Sequence, residues 1–277
     1  FSSTYLKVLS DGAIKYDGGT MFGQIPKVRW EEKASADRKN RVTMGLNCLL
    51  LQSCGRYILI ETGVGSKVPD QVKEFHSLST SKLFKELRDI GLTPKDIDVV
   101  ILTHLHFDHA GGCTRVDRLG NIVTTFPKAT HYIQRASWES ATNPNERTRE
   151  AYHSRDFLPL WERDQVALLD GDGEILPGIV ARVTHGHTPG HQIILINHGG
   201  ERVAFLGDLV PTPFHLELPY IAALDQFPEE TLVKKREILE QAEQEGWLLV
   251  FAHGHNNARA GYLERRNGRA QLRLVEL

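Results

Sequence analysis

Five apolar runs along the chain end in the same manner, each with a polar, chemistry-bearing residue at or just past its C-terminal edge. Tyr57-Ile58-Leu59-Ile60 stops at Glu61-Thr62-Gly63, and Val99-Val100-Ile101-Leu102 stops at Thr103-His104. Val180-Ala181-Arg182-Val183 leads to His185, His187 and His191; Val203-Ala204-Phe205-Leu206 runs into Gly207-Asp208; Leu248-Leu249-Val250-Phe251 runs into Ala252-His253. Short continuous apolar runs read as strands covered on both faces, and loops leaving such strands carry sites on a rigid scaffold. The pattern predicts one sheet edge on which these loops converge.

Helices fill the intervals. Ser79-Thr80 predicts the cap of a helix from about Ser81 to Asp89, stopped by Gly91, with Leu83, Phe84, Leu87 and Ile90 on its buried face. A longer helix follows Pro228 and runs up to Gly246, its core stripe being Leu232, Ile238, Leu239 and Ala242. Weaker helical patterns cover Ala136 to Ala141 and Ser154 to Trp161, and antiparallel pairs are expected at Val42 to Ile60, His191 to Leu206 and Ala258 to Val275. Strands alternating with helices, with no internal repeat and no Gly/Ser/Pro linker, predict one layered α/β domain over residues 1–277.

Composition changes this picture little. Hydrophobic content of 40% and charged content of 25% suit a globular chain with a sizeable core. A net charge of -2 and the lack of a long Lys/Arg run leave no electrostatic footprint for nucleic acid. No apolar run approaches the roughly 20 residues that span a bilayer, so no membrane association is expected. Cys48, Cys54 and Cys113 form a sparse, odd set that reads as free thiols in a reducing compartment, here the cytoplasm. The chain begins at Phe1 with no basic-then-apolar signal segment, and the lack of a methionine leaves a removed leader open.

The chemistry is concentrated after the second apolar run. His104, His106, Asp108 and His109 place three imidazoles and a carboxylate within six residues, the donor set of a catalytic metal site; structural zinc leans on cysteine thiolates. In an extended chain His104, His106 and Asp108 project to one side, while Leu105 and Phe107 anchor the other. His109 falls out of that register, and Ala110-Gly111-Gly112 would let the backbone turn tightly enough to aim it at a second ion. Further along, Pro189-Gly190 makes the tight turn expected to present His191, with His185 and His187 as its rivals, and His253 is favoured over His255. Glu61 reads either as a turn carboxylate or as an acceptor orienting a ligand histidine, and Cys113 as a small buried residue. His76, His131, His153 and His198 read as surface or locally hydrogen-bonded residues.

His104-x-His106-x-Asp108-His109, then His187-Thr188-Pro189-Gly190-His191, Gly207-Asp208 and His253 resembles the ordered motif series of the metallo-β-lactamase superfamily, and the series covers most of the chain. The resemblance implies an αβ/βα four-layer sandwich with a dinuclear site at one edge of the paired sheets. It places His104, His106 and His191 on a first metal, Asp108, His109 and His253 on a second, and Asp208 between them. Two divalent ions are implied, zinc first, with Mn, Fe and Co suiting the same donors.

Within the superfamily, Asp17-Gly18-Gly19-Thr20-Met21-Phe22-Gly23, Trp30 and Gly207-Asp208-Leu209-Val210-Pro211-Thr212 resemble the branch of N-acyl-homoserine lactonases and methyl-parathion-hydrolase-like enzymes. A quorum-quenching lactonase-type esterase is the implied activity, with a metal-bridging hydroxide as nucleophile and Asp108 assisting proton transfer. Its alternatives are a phosphotriesterase, a glyoxalase II-like thioesterase and a metal-binding protein without turnover. The partner implied is a small ester, lactone or phosphotriester, and a homodimer is compatible with it. Lactonases of this branch place a tyrosine shortly after the bridging aspartate, where this chain has Pro211 to His215. His215 and Tyr220 are the expected replacement donors, and Phe22, Trp30, Phe214 and Tyr220 the expected lining of an acyl or aryl pocket.

Overall fold

Side-chain alternation along the strands decides which layer each residue joins. The computed structural model, which describes residues 5–266 and 269–277, places β1 (Tyr5–Asp17), β2 (Arg41–Ser53), β3 (Arg56–Ile60) and β4 (Ile97–Ile101) side by side. A hairpin of β5 (Thr114–Val116) and β6 (Ile122–Thr124) stands apart, and β7 (Thr130–Gln134) and β8 (Val166–Leu169) complete this first sheet in the order β1-β2-β3-β4-β7-β8. The second sheet runs in sequence order through β9 (Gly173–Leu176), β10 (Ile179–Val183), β11 (Gln192–His198), β12 (Glu201–Phe205), β13 (Leu248–Val250), β14 (Ala260–Arg266) and β15 (Arg269–Leu274).

The helices are α1 (Gly18–Phe22), α2 (Lys27–Trp30), α3 (Asp70–Phe75), α4 (Leu83–Asp89), α5 (Phe107–Ala110), α6 (Arg135–Thr142), α7 (Ser154–Trp161) and α8 (Pro228–Glu245). Leu50, Leu59 and Val100 point outward from the first sheet onto Leu83, Leu87, Phe157 and Leu160 of α4 and α7. Their neighbours Leu49, Ile58, Ile60, Val99 and Ile101 point inward and meet Ile194, Ile196, Val203, Phe205 and Val250 of the second sheet. On the far side Ala204 and Leu249 pack on Ile238, Leu239 and Ala242 of α8. These contacts give helix, sheet, sheet and helix layers, as expected, each fully buried Leu, Ile or Val contributing about 1.5–3 kcal/mol.

The five apolar runs form β3, β4, β10, β12 and β13, and the expected antiparallel pairs are β2–β3, β11–β12 and β14–β15. Three local expectations fail. Ser79-Thr80 does not cap α4; the buried Asp11 carboxylate accepts from Lys82 N–H and Leu83 N–H, both at 3.2 Å. Phe84 is 43% exposed instead of core, because Leu83 and Leu87, with Ile90 beside them, are the residues that face the sheet. The stripe of α8 includes Lys235, fully buried, whose ammonium donates to the carbonyls of Glu217 at 2.8 Å and Tyr220 at 2.7 Å, while Leu232 is only half-buried. Among the described residues no helix is long and apolar enough to cross a membrane.

The two sheets are stapled along the edge where the candidate ligands gather. Asn47 Nδ2 of β2 donates to the carbonyls of Phe251 at 2.8 Å and Gly254 at 2.7 Å, and Gln192 Nε2 of β11 donates to Leu102 O at 2.8 Å. Backbone bonds Gly45 N–H to His253 O and Gln192 N–H to Thr103 O, both 3.0 Å, reinforce the seam.

Candidate metal centre

Thr103 N–H donates to Glu61 Oε1 at 2.9 Å, tying the segment after β4 to the end of β3. From there the chain does not stay extended. His104 and His106 precede α5, but Asp108 and His109 lie within it, so a helical turn, and not strand alternation, swings both into the cluster. Gly111 and Gly112 serve closeness of approach. Gly111 is helical at φ -56, while Gly112 N–H donates to Gly63 O at 3.0 Å and a Cβ on Gly112 would lie 2.1 Å from the Thr62 carbonyl.

Three overlapping groups of donors result, all of them buried: His104, His106 and His187; His104, His109 and Asp208; Asp108, His109 and His253. His187 Nε2 lies 3.1 Å from His106 Nδ1 and 3.2 Å from Asp208 Oδ2. Asp208 Oδ1 lies 3.4 Å from His109 Nε2 and 3.3 Å from His253 Nε2, while Asp108 Oδ2 lies 3.5 Å from His253 Nε2. Asp208 thus faces both ends of the cluster, and His253 lies beside Asp108 and His109 while His255 is exposed.

The expectation for His191 is corrected. Both of its ring nitrogens are engaged elsewhere, Nδ1 with Thr184 Oγ1 at 2.6 Å and Nε2 accepting Asp208 N–H at 2.9 Å. The Pro189-Gly190 turn faces His187 into the cluster and folds His191 back to hold the loop of Asp208. Gly207, at φ +50, allows that approach, since a Cβ there would lie 2.7 Å from His191 Nε2.

Acceptors behind the cluster orient its rings. His187 Nδ1 meets Asp225 Oδ1 at 2.8 Å, and Thr231 Oγ1 donates to Asp225 Oδ2 at 2.6 Å. His253 Nδ1 meets Gly45 O at 2.8 Å, and His109 Nδ1 faces Glu61 Oε2 at 3.3 Å. A ring that donates through Nδ1 presents the Nε2 lone pair to the cluster, the arrangement typical of metal-bound histidine. Glu61 therefore serves the turn and the histidine together.

The electrostatics ask for cations. Burial and neighbouring imidazoles push His104 well below its ordinary pKa, and burial, with His187 beside it, takes His106 to about 3. For His109 burial works in the same direction, but Asp208, Asp108 and Glu61 outweigh it and raise the pKa well above the ordinary value. For Asp208 burial disfavours the charge, yet His109, His253 and His187 hold the carboxyl well below its usual range. Carboxylates kept ionised in a buried cluster need positive partners. His104 Nε2 and Asp208 Oδ1 are moreover buried with no hydrogen-bond partner. Imidazole nitrogens beside ionised carboxylate oxygens fit divalent transition metals.

The cluster opens onto a cavity of about 1030 Å³, whose floor includes His106, Asp108, Asp208 and His253. Tyr16, from the end of β1, stands in its wall and donates through Oη to Asp108 Oδ2 at 2.7 Å. Burial, then the charge of Asp108, raises the Tyr16 pKa well above its usual value, so the hydroxyl keeps its proton. Val72, Phe75, His76, Phe107 and His153 line the outer cavity, Phe75 being 73% exposed.

Neither expected replacement donor belongs to this cavity's lining. His215 is fully buried, stacked on Phe22, with Nδ1 on Thr212 Oγ1 and Nε2 on Met21 O, both at 2.8 Å, and burial lowers its pKa to about 3. Tyr220 is buried against Phe22, which stacks on Trp30 in a separate core with Phe214 at its margin. These aromatics pack together beneath the N-terminal segment, and none of them lines the described cavity. Cys113 is buried as expected, its thiol pushed by burial to about 12. Of the two expectations for His131, surface or locally hydrogen-bonded, the second holds: it is fully buried in β7, with Nδ1 3.3 Å from Gln165 O. Asp225 and Tyr16 were not anticipated; each lies far along the chain from the residue it serves.

Comparison with known proteins agrees with this geometry. Residues 43–256 match the family model of the metallo-beta-lactamase superfamily. An N-acyl homoserine lactonase of Bacillus cereus is 28% identical over 228 residues, covering 77% of this chain and 83% of that protein. A probable metal-dependent hydrolase from Staphylococcus aureus superposes with a TM-score of 0.88 at 29% identity, covering 97% of this chain and 96% of the other. The dizinc quorum-quenching lactonase AidC shares the fold, with a TM-score of 0.79 at 18% identity over 100% of this chain and 97% of its own. A family match over most of the chain, sheets stapled at one edge and buried His/Asp donors on that edge lead to one conclusion: the chain belongs to the metallo-β-lactamase superfamily, with N-acyl homoserine lactonases among its relatives.

Proposed function

We propose that this enzyme opens lactones by hydrolysis with the help of two divalent metal ions. The observation that carries the reading is a pair of donor groups, linked through His109 and Asp208, at the floor of an open cavity. His104, His106 and His187 would hold one ion, Asp108, His109 and His253 the other, and Asp208 both. When bound, such a pair supplies electrophilic activation of a carbonyl and an acidified water. The chain's own residues do the rest. His187 is kept in one tautomer by Asp225, Asp108 stands at the cavity floor where it can carry a proton, and the apolar wall of Val72, Phe75 and Phe107 offers a surface for an acyl chain. Relatives named as lactonases support a lactone over a phosphotriester or thioester substrate. The free thiols of Cys48, Cys54 and Cys113 support a reducing compartment.

The test is a substrate panel on metal-reconstituted protein, with elemental analysis alongside. About two transition ions per chain and a kcat/KM for acyl-substituted γ-lactones above that for an aryl phosphotriester are expected. Saturation at about one ion would refute the dinuclear reading, and a phosphotriester preferred by more than about tenfold, worth about 1.4 kcal/mol, would replace the substrate.

A further inference from the structure

Tyr16 is the one hydroxyl that the described cavity lining sets directly against the Asp108 end of the donor cluster, and no step above uses it. Its ring is fixed from two sides, edge-on to His76 with centroids 5.0 Å apart and edge-on to His253 at 6.5 Å. Its backbone is held in the β1–β2 ladder opposite Val42. The Oη position is therefore set by a strand and two rings, not by a surface loop. A phenol has one proton to give and two lone pairs, and here the proton points to Asp108 Oδ2 at 2.7 Å. An oxygen arriving at the cavity floor beside Asp108 would come within reach of the same O–H, which needs only to rotate about its C–O bond to change acceptor.

We propose that Tyr16 is a catalytic hydrogen-bond donor to the departing oxygen of the substrate, taking the place that His215 and Tyr220 are too buried to fill. The inference rests on the hydrolase reading above. As hydroxide adds to the carbonyl carbon and the ester C–O bond breaks, the electron pair of that bond stays on the departing oxygen, and Tyr16 Oη–H shifts from Asp108 to it. The proton that turns the alkoxide into the alcohol is the one left on the attacking oxygen, carried over by Asp108. The products are a carboxylate and an alcohol, and Tyr16 keeps its own proton throughout. Asp108 is released from its hydrogen bond at the moment it must accept and hand on that proton.

A donor to the departing oxygen matters more as that oxygen becomes more basic, whereas a purely structural tyrosine affects all esters alike. Tyr16→Phe in metal-reconstituted protein should therefore lower kcat/KM for a γ-lactone or alkyl ester at least about tenfold more than for the matching 4-nitrophenyl ester, at the metal content of the parent. Equal losses on both substrates, or a fall in metal content whose correction by added zinc restores turnover, would overturn the proposal and make Tyr16 a support for Asp108. The alkyl and aryl ester pair reads this even if the parent opens no lactone, so failure of the lactonase reading is seen separately. Calorimetry provides a readout without turnover. Parent protein should bind 4-hydroxydecanoate more tightly than decanoate, by about fivefold for one net hydrogen bond, and Tyr16→Phe should erase that difference. A difference that survives the substitution would refute the contact.

Discussion

The floor and the mouth of the cavity are built differently. At the floor each imidazole is buried and has at least one ring nitrogen in a defined contact, and the seam of Asn47 and Gln192 holds the two sheets in register beneath it. At the mouth, α3 has no buried residue, and Phe75 and Leu224 meet the cavity from exposed positions. Polar ties there run to backbone carbonyls, from Arg41 to Phe75 O at 2.7 Å and from Arg147 to Ala223 O at 3.1 Å. The contrast separates two demands: donor geometry for metals tolerates little displacement, whereas an acyl group needs apolar surface and little else.

Removing the carboxylate that faces both ends of the cluster should have the largest effect. Asp208→Ala is expected to lower turnover about 10³-fold or more and to cut metal content, on the scale of losing a central electrostatic partner. Elemental analysis with kinetics checks it, and an active, fully metallated variant would show that the floor does not depend on this carboxylate. One layer back, Asp225→Asn should weaken metal affinity by about 10–100-fold, since His187 loses the acceptor that fixes its tautomer. Chelator competition reads that directly; an unchanged affinity would mean that ring orientation is set by packing alone. At the mouth the change should be small and selective. Phe75→Ala is expected to raise KM for a long-chain acyl lactone about fourfold, roughly the worth of one buried methylene, with little change for a short-chain one. A loss of kcat on both would erase the distinction between floor and mouth.

Legibility in the sequence follows the same division. Runs such as Val99 to Leu102 announce β4 because both faces of the strand are covered, so no polar residue interrupts them. β1 carries no such signal. Asp11 is buried as a cap for α4, Lys15 reaches Asp37, and the register slips between Ser10 and Gly12, which breaks the apolar pattern. The cluster from His104 to His109 is legible through residue type, but the choice of His187 over His191 is not. Both flank one turn, and what separates them is the Thr184 hydroxyl and the Asp208 amide, which occupy the nitrogens of His191. Aromatic content likewise could not tell Phe22 and Trp30, which fill a core, from Tyr16 and Phe75, which face a cavity.

The staple between the sheets has a consequence for the order in which the molecule is made. His104 to His109 leave the ribosome 144 residues ahead of His253, on a sheet whose first strands precede them. Asn47, in β2, must wait for Phe251 and Gly254 before its amide is satisfied. A nascent chain can therefore expose the donors from His104 to His109 long before His253 joins them, and closure of the seam and the arrival of His253 are one event.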